Sequence, residues 1–382
     1  MKLAPLHVVF LSRSYPTSYD PATAVFVCEQ AEALAKAGVK IAQIAVVFIS
    51  WKQLLRLNFF GFGYRKFNRE NVHVSLYITP VIPFVKCVNQ WRRDRMLKKL
   101  MERYISENGV PDICHAHGFY NGNEAIRLKN KYSVPFVTTE HYSVFGRNML
   151  STRELKMANR VYTESSARIA VSMDFKSLLE EKYNLEFQYL PNIVDVEKFH
   201  PSEKPVDSKR FVILSVGSLD RNKNQTLLLE ALAKLPEEFS LMIAGKGPDQ
   251  KRLMKQANDL GIQHRVEFLG FVPQNTLVSL FQKADVLAVT SLYETFGIVM
   301  IEAMSCGIPV VSTPVGAAPW LINDERVGYI ADYDAIQIAD AIKKVWTNQW
   351  DRNFIRNFAI SNFSSEMISK KLIQLYKNII EK

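Results

Sequence analysis

Cysteine is scarce. The chain has four in 382 residues (Cys28, Cys87, Cys114, Cys306), at no spacing that suits a zinc knuckle or a redox pair. All four read as buried free thiols of a cytosolic protein. Long apolar runs are also missing. The longest strand-like stretch, "IAQIAVVFI" at 41–49, falls well short of the roughly 18–20 residues that cross a bilayer, and Trp51 and Lys52 follow it. The opening "MKLAPLHVVF" is too short in its apolar part, and lacks the small-residue cleavage site, to serve as a signal peptide. What is present is the composition of a globular protein, 48% hydrophobic and 23% charged, at a length that suits two domains.

The formal net charge of +10 is concentrated. Between Trp51 and Arg103 stand 12 Lys/Arg against three acids, which accounts for nearly the whole excess. Trp51, Phe59, Phe60, Phe62, Tyr64, Phe67 and Trp91 are interleaved with these cations. "NQWRRDRMLKKLMERY" (89–104) reads as a basic helix with Trp91, Leu97, Leu100 and Met101 on an apolar side. Two readings compete: a solvated face with ordinary core anchors, or a patch that settles on anionic lipid. The second is the expectation, with the protein peripheral on the inner face of the cell membrane. Nothing else resembles an RNA or DNA module, so no nucleic-acid partner is expected.

Short apolar runs alternate with amphipathic stretches from end to end, the pattern of parallel sheets with crossover helices. "HVVFLS" (7–12), "KIAQIAV" (40–46), "VHVSLYIT" (72–79), "DICHAH" (112–117), "PFVTTE" (135–140) and "RIAVS" (168–172) form a first series. "FVILSVG" (211–217), "FSLMIAG" (239–245), "VEFLGFV" (266–272), "DVLAVTS" (285–291), "PVVST" (309–313) and "VGYIA" (327–331) form a second. Between them "PNIVDVEKFHPSEKPVDSK" (191–209) is rich in Pro, Asp and Lys and reads as a linker. The expectation is two doubly wound α/β domains, 1–190 and 191–350, with helices at 351–382 packing back toward the first. Ligands of such sheets bind at the carboxyl ends of the strands, so a cleft between the domains is the expected site.

"SLYETFGIVMIEAMSCGIPVV" (291–311) carries the chemistry. Here a strand ends, "LYETFG" turns, and a short helix runs to Gly307. The N–H groups near Phe296, Gly297 and Ile298, with the positive end of the helix, suit a phosphate. If the helix is continued back to Glu294, that residue and Glu302 lie roughly 80° and roughly 12 Å apart. Such a gap is too wide for a shared proton and suits a grip on two ends of one extended ligand. The plainer alternative makes Glu294 a helix-start acid and Glu302 a solvated surface residue.

Together with "GKGPDQKRLMKQANDLGIQHRVEFLGFVPQNTLVSLFQKADVLAVTS" (245–291), "LPNIVDVEKFHP" (190–201) and "YPTSYDPATAVFVCEQAEALAKAGVKI" (15–41), this stretch resembles the retaining family-4 glycosyltransferases of GT-B fold. The resemblance covers most of the chain. It implies that Glu302 binds the ribose hydroxyls of a UDP- or GDP-sugar, and that Glu294 contacts the transferred sugar. It further implies that Phe296, Gly297 and Ile298 hold the pyrophosphate through their N–H groups. Lys223 would neutralise the leaving phosphate, Gly245, Phe271 and Val272 would frame the base, and His141 would reach the donor sugar. His117 and Ala24 are acceptor-side candidates. Zinc at His115 and His117 is not expected, since no third ligand stands at metal spacing. Neither a metal nor a cofactor is called for; the nucleotide-sugar is a co-substrate.

The sequence departs from the family pattern at three places. Ser218 stands where the family has arginine, with Arg221 as a substitute charge. Ala24 replaces the usual glycine of the first loop. "VGAAPW" brings Ala317 and Trp320 where "GG..E" is usual. The reading is a cytosolic, metal-independent, retaining hexosyltransferase acting on a saccharide acceptor, lipid-linked, in surface-polysaccharide assembly. Its rivals are a sugar-nucleotide epimerase of the same fold and a non-catalytic nucleotide-sugar-binding subunit.

Overall fold

Strands buried on both faces read as nearly unbroken apolar runs, because helices must cover each side of a parallel sheet. In the computed structural model, which describes residues 5–18, 20–21, 23–50, 61–202 and 210–381, these runs build two separate sheets. The first domain comprises the chain to Val171, Phe175–Ile193 and the segment from Ser365; the second comprises Ser172–Asp174 and Val194–Ser364. The last two helices thus divide. Arg352–Phe363 belongs to the second domain and Ser365–Ile380 to the first.

The first sheet contains β1 (His7–Ser12), β2 (Lys40–Ile49), β3 (Gly63–Arg69), β4 (Val72–Pro80), β5 (Ile113–His117), β6 (Phe136–Glu140), β7 (Ala167–Ala170) and β8 (Gln188–Tyr189). Its order is β3-β4-β2-β1-β5-β6-β7-β8, parallel except for β3. Strands β1 and β5 are neighbours although three strands intervene in the chain, so the winding reverses between them. The helices Val25–Lys36 and Ser365–Ile380 share one core with this sheet, in which Val27, Ala31 and Leu34 meet Ile368, Leu372 and Tyr376.

β3 was not expected. Glu70 and Asn71, both at positive φ, make the two-residue turn that folds it back on β4. "GYRKFNR" carries exposed Arg65 and Lys66 because it is the sheet edge, where charge discourages pairing with another chain. Part of the basic excess therefore has a structural use. Arg69 pairs with Glu32 and Lys66 with Glu107. Arg93 is 4% exposed and donates to the carbonyls of Arg13 and Val46. Arg92 is tied to Thr79 and the Pro80 carbonyl. Trp51, Phe59 and Phe60 lie outside the described residues. One cysteine also departs from expectation. Cys28, Cys114 and Cys306 are buried, but Cys87 is exposed in the first turn of the helix Lys86–Asn108.

The second sheet is wholly parallel: β9 (Phe211–Val216), β10 (Phe239–Ala244), β11 (Val266–Gly270), β12 (Val286–Val289), β13 (Val310–Ser312) and β14 (Gly328–Ile330), in the order β11-β10-β9-β12-β13-β14. Its winding reverses between β9 and β12. Arg356 ties the start of this domain together, donating to the carbonyls of Val196, Phe199 and Ser305.

Candidate functional site

The crevice at a reversal of winding is where a doubly wound sheet offers strand ends and helix N-termini to a ligand. In the second domain the loops after β9 and β12 supply that crevice, and each carries one charged group. Lys223 follows β9 and donates through Nζ to Oε1 of Glu294, which follows β12. Ser291 Oγ donates to the same oxygen at 2.8 Å. Oε2 of Glu294 has no partner among the described residues. Both side chains are largely enclosed, at 20% exposure for Lys223 and 14% for Glu294.

The turn that presents Lys223 is built by Asp220. Its Oδ1 accepts the N–H groups of Asn222 (3.0 Å) and Lys223 (3.2 Å), and its Oδ2 accepts from Ser218 Oγ (2.8 Å). Asn222 then locks this turn to the β12 loop, through Leu292 N–H to its carbonyl and its own amide to the carbonyl of Tyr293. Ser218 therefore stabilises the loop and does not replace a cation. Arg221 is exposed, and no described residue pairs with it.

The helix Ile298–Ser305 begins at Gly297, whose φ of 84° is left-handed. A Cβ there would lie 2.4 Å from Cε of Met300. No side chain caps the helix, and no acid occupies its first turn. The N–H groups of Ile298 and Val299 have no acceptor within the helix and, with the helix dipole, favour an anion. At the far end Gly307 and Ile308 donate back to Met304 and Ala303, a Schellman closure. The 80° and 12 Å separation expected for Glu294 and Glu302 does not apply, because residues 294–297 are not helical. Glu302 is 7% exposed, which also removes the solvated-surface alternative.

A single cavity brings together Lys223, Glu294 and Gly297, with Gln225, Val299 and Met300 among its walls. Glu302, Gly245, Phe271, Val272 and Arg221 do not line it. Phe296 is buried, its ring edge-on to Phe363, so only its backbone is available to a ligand. Gly245 follows β10, and a Cβ there would stand 1.7 Å from the carbonyl oxygen of Gly217. Its N–H donates to Gly270 at the end of β11, immediately before exposed Phe271 and half-buried Val272. Trp320 is partly exposed and edge-on to Phe363, while Ala317 donates its N–H to the carbonyl of Phe296. The chain contains one Asp-x-Asp triplet, Asp332-Tyr333-Asp334. Asp334 caps the helix Ala335–Thr347, accepting from Ile336 and Gln337. Among the described residues, no three His, Cys, Asp or Glu side chains gather as metal ligands.

At the reversal in the first domain, β5 ends in His117 and β6 is followed by His141. His117 Nδ1 lies 3.1 Å from His141 Nε2. Burial keeps His141 down to about 3 and His117 well below its ordinary value, so both rings are neutral at physiological pH. Glu140 anchors this corner by accepting from His141 N, Tyr142 N, Phe119 N and Tyr162 Oη. Ala24 is the N-cap of the helix Val25–Lys36 and sits at φ 53°, ψ 25°, the left-handed geometry that glycine adopts freely.

Sequence reasoning missed Ser291, Asp220, Asn222 and Glu140. "LDRNKN" carries a detectable signal, an Asp two residues before an Asn in a turn context. Nothing in the sequence marks Ser291.

Two mostly parallel sheets, each doubly wound about a reversal, are the pattern of the GT-B fold. The model for "Glycosyl transferases group 1" matches residues 196–378, and that for "Glycosyltransferase Family 4" matches 23–198. The chain is a GT-B-fold glycosyltransferase related to these two families, and it transfers a sugar from a nucleotide-sugar donor to an acceptor. Similar proteins include an uncharacterized glycosyltransferase of Methanocaldococcus jannaschii, 29% identical over 309 residues (74% of this chain, 79% of the relative). The D-inositol 3-phosphate glycosyltransferase of Corynebacterium jeikeium is 28% identical over 312 residues (72% and 74%). In fold the chain is similar to sucrose-phosphate synthase of Thermosynechococcus elongatus, with a TM-score of 0.78 at 20% identity, covering 98% of this chain and 99% of that one. It is also similar to Anabaena HepE solved with UDP and glucose, with a TM-score of 0.75 at 19% identity, covering 98% and 100%.

Proposed function

We propose that the protein is a retaining hexosyltransferase that takes its sugar from a UDP-sugar and passes it to a saccharide acceptor, lipid-linked, in surface-polysaccharide assembly. The observation that carries this reading is the Lys223–Glu294 pair beside an uncapped helix N-terminus at the β9/β12 reversal. Cleaving the sugar–phosphate bond leaves a nucleoside diphosphate with growing negative charge. Lys223 and the N–H groups around Gly297–Ile298 are fixed in place to receive it, without reorganisation. Glu294, held by Lys223 and Ser291 through Oε1, keeps Oε2 for the hydroxyls of the sugar. Glu302 is the group for the ribose, and Gly245, Phe271 and Val272 frame the base. Uracil is favoured over guanine by the fold neighbour solved with UDP. His141 is the first-domain group for the transferred sugar. Transfer occurs on one face, the leaving phosphate helping to deprotonate the acceptor.

Docking to an anionic membrane from the cytosolic side is part of this proposal. Ile82, Phe84, Val88 and Trp91 are exposed around the start of the helix Lys86–Asn108, beside exposed Lys86, Arg95, Lys98 and Lys99. No described helix is long and apolar enough to cross a membrane. The proposal is tested by a thermal-shift screen against UDP-, GDP- and ADP-sugars, then turnover of the radiolabelled hit by the pure protein. Selective stabilisation by UDP-sugars with release of UDP is expected. Preference for a guanine or adenine nucleotide would overturn the donor assignment.

A further inference from the structure

The reading of His141 leaves a second imidazole unexplained. His115, His117 and His141 stack on one face of the first sheet, since positions two apart on a strand share a face and His117 pairs in register with Thr139. Ring centroids are 4.4 Å apart for His115–His117 and 5.3 Å for His117–His141, with interplanar angles of 20° and 16°. The inner ring is satisfied. His115 Nδ1 is 2.6 Å from Tyr376 Oη, on the C-terminal helix, and Nε2 is 2.6 Å from Thr139 Oγ1. Phe10 packs against His117, and Phe26 against His141.

The outer two rings share one contact and keep one ring nitrogen each, His117 Nε2 and His141 Nδ1, enclosed without a partner. A neutral imidazole carries one N–H. The contact therefore couples the two tautomers: whichever ring donates must leave its other nitrogen bare, and the accepting ring must carry its proton on the far side. An unpartnered buried N–H is rarer than an under-used acceptor. His117 is 3% exposed and lies deeper, so its far nitrogen is the better place for the bare lone pair. His141 is the less buried of the two rings, half-buried at the strand ends, so the proton is better placed on its Nδ1, although that nitrogen is itself enclosed.

We propose that His117 is a positioning residue that donates Nδ1–H to His141 Nε2 and so holds His141 as the Nδ1–H tautomer, offering that N–H to a sugar oxygen. His115 and Tyr376 fix the stack from behind, which gives the C-terminal helix a share in the site. The inference rests on the assignment of His141 above.

The test uses the full-length protein labelled with ¹⁵N-histidine, and UDP release from UDP-glucose. Wild type is expected to show His141 protonated on Nδ1. His117→Phe, which keeps the stack but removes the donor, should mix the two tautomers. It should also lower kcat about tenfold or more, with KM for UDP-glucose unchanged. His117→Asn puts an amide where Nδ1 was and should regain most of the rate. In a His141→Ala background, His117→Phe should cost nothing further. A wild-type His141 protonated on Nε2 overturns the inference, whatever the kinetics show. So does a normal kcat for His117→Phe when His141→Ala is impaired. A normal kcat for His141→Ala overturns the role given to His141 itself, and the tautomer measurement then still decides whether His117 sets its state.

Discussion

The two sheets place their candidate groups at the same topological point and furnish it with opposite chemistry. At the β9/β12 reversal the second domain sets a cation against a carboxylate, braced by Asp220, Asn222 and Ser291, next to an uncapped helix. At the β1/β5 reversal the first domain sets stacked imidazoles that burial keeps neutral. Fixed charge suits a leaving diphosphate, whose charge grows during reaction. Neutral donors and acceptors suit hydroxyl groups, which must be oriented without being ionised. The comparison predicts that second-domain variants act on both turnover and donor binding, whereas first-domain variants act on turnover through orientation, or on stability, and leave donor binding unchanged.

The largest effect is expected at Lys223. Lys223→Ala removes the cation proposed to receive the leaving group and should lower kcat by about 10²–10³-fold, in the range found for loss of one transition-state donor. Arg221→Ala should change it by less than about threefold, because Arg221 is exposed and unpaired among the described residues. The reverse order in steady-state kinetics would move the phosphate grip to the arginine. The same assay in EDTA should run at the untreated rate. Full loss on chelation, restored by Mg²⁺ or Mn²⁺, would transfer the leaving charge from Lys223 to a metal.

Next is Glu302→Ala, expected to weaken UDP binding by about 1.5–3 kcal/mol through loss of a charged acceptor for the ribose. Titration calorimetry reads this directly. Unchanged affinity in a folded variant would give Glu302 to the protein interior, where its low exposure already places most of it.

The membrane prediction is smaller and sharper than the sequence alone allows. Counting charges cannot separate Arg93, which is buried on backbone carbonyls, from Lys99, which is exposed. Each cation near an anionic surface contributes about 1 kcal/mol, within a Debye length of about 8 Å. Changing Lys86, Arg95, Lys98 and Lys99 to glutamate should abolish co-sedimentation with anionic vesicles while leaving the fold intact. Sedimentation equal to wild type would return these residues to a solvated face.

What was legible followed the range over which a signal acts. All six strands of the second sheet were expected, as each is a local apolar run ended by a turn, and the 291–311 motif lies within one strand–turn–helix unit. β3 was hidden because an edge strand is charged for the reason that it is an edge. The Glu294–Glu302 spacing could not be read by counting along a helix, because residues 294–297 are an irregular turn and the helix starts only after Gly297, at positive φ. The imidazole stack draws on β5, β6 and a helix some 260 positions on, a meeting that periodicity cannot foresee.

Ala24 joins sequence and backbone most directly, and it carries the smallest expected effect. The family resemblance puts glycine at this position, and in this chain the position is left-handed, at φ 53°. An alanine in that region pays roughly 1–2 kcal/mol that glycine does not. Glycine in turn costs about 0.4–1 kcal/mol through the greater freedom of the unfolded chain. The first term is the larger, so Ala24→Gly should raise stability by about 0.5–1 kcal/mol, which for a domain of this size is a rise in Tm of about 1–4 °C. Elsewhere in a helix Ala→Gly lowers stability, so the sign alone tests the geometry. The turn also leads into Phe26, whose ring lies against His141 at 4.7 Å. Relief of strain without loss of that contact should leave kcat within about twofold of wild type. A fall in Tm would show that the loop before Val25 is not left-handed at Ala24. A rise in Tm with a large fall in kcat would show instead that the strained alanine holds Phe26, and through it His141, in place.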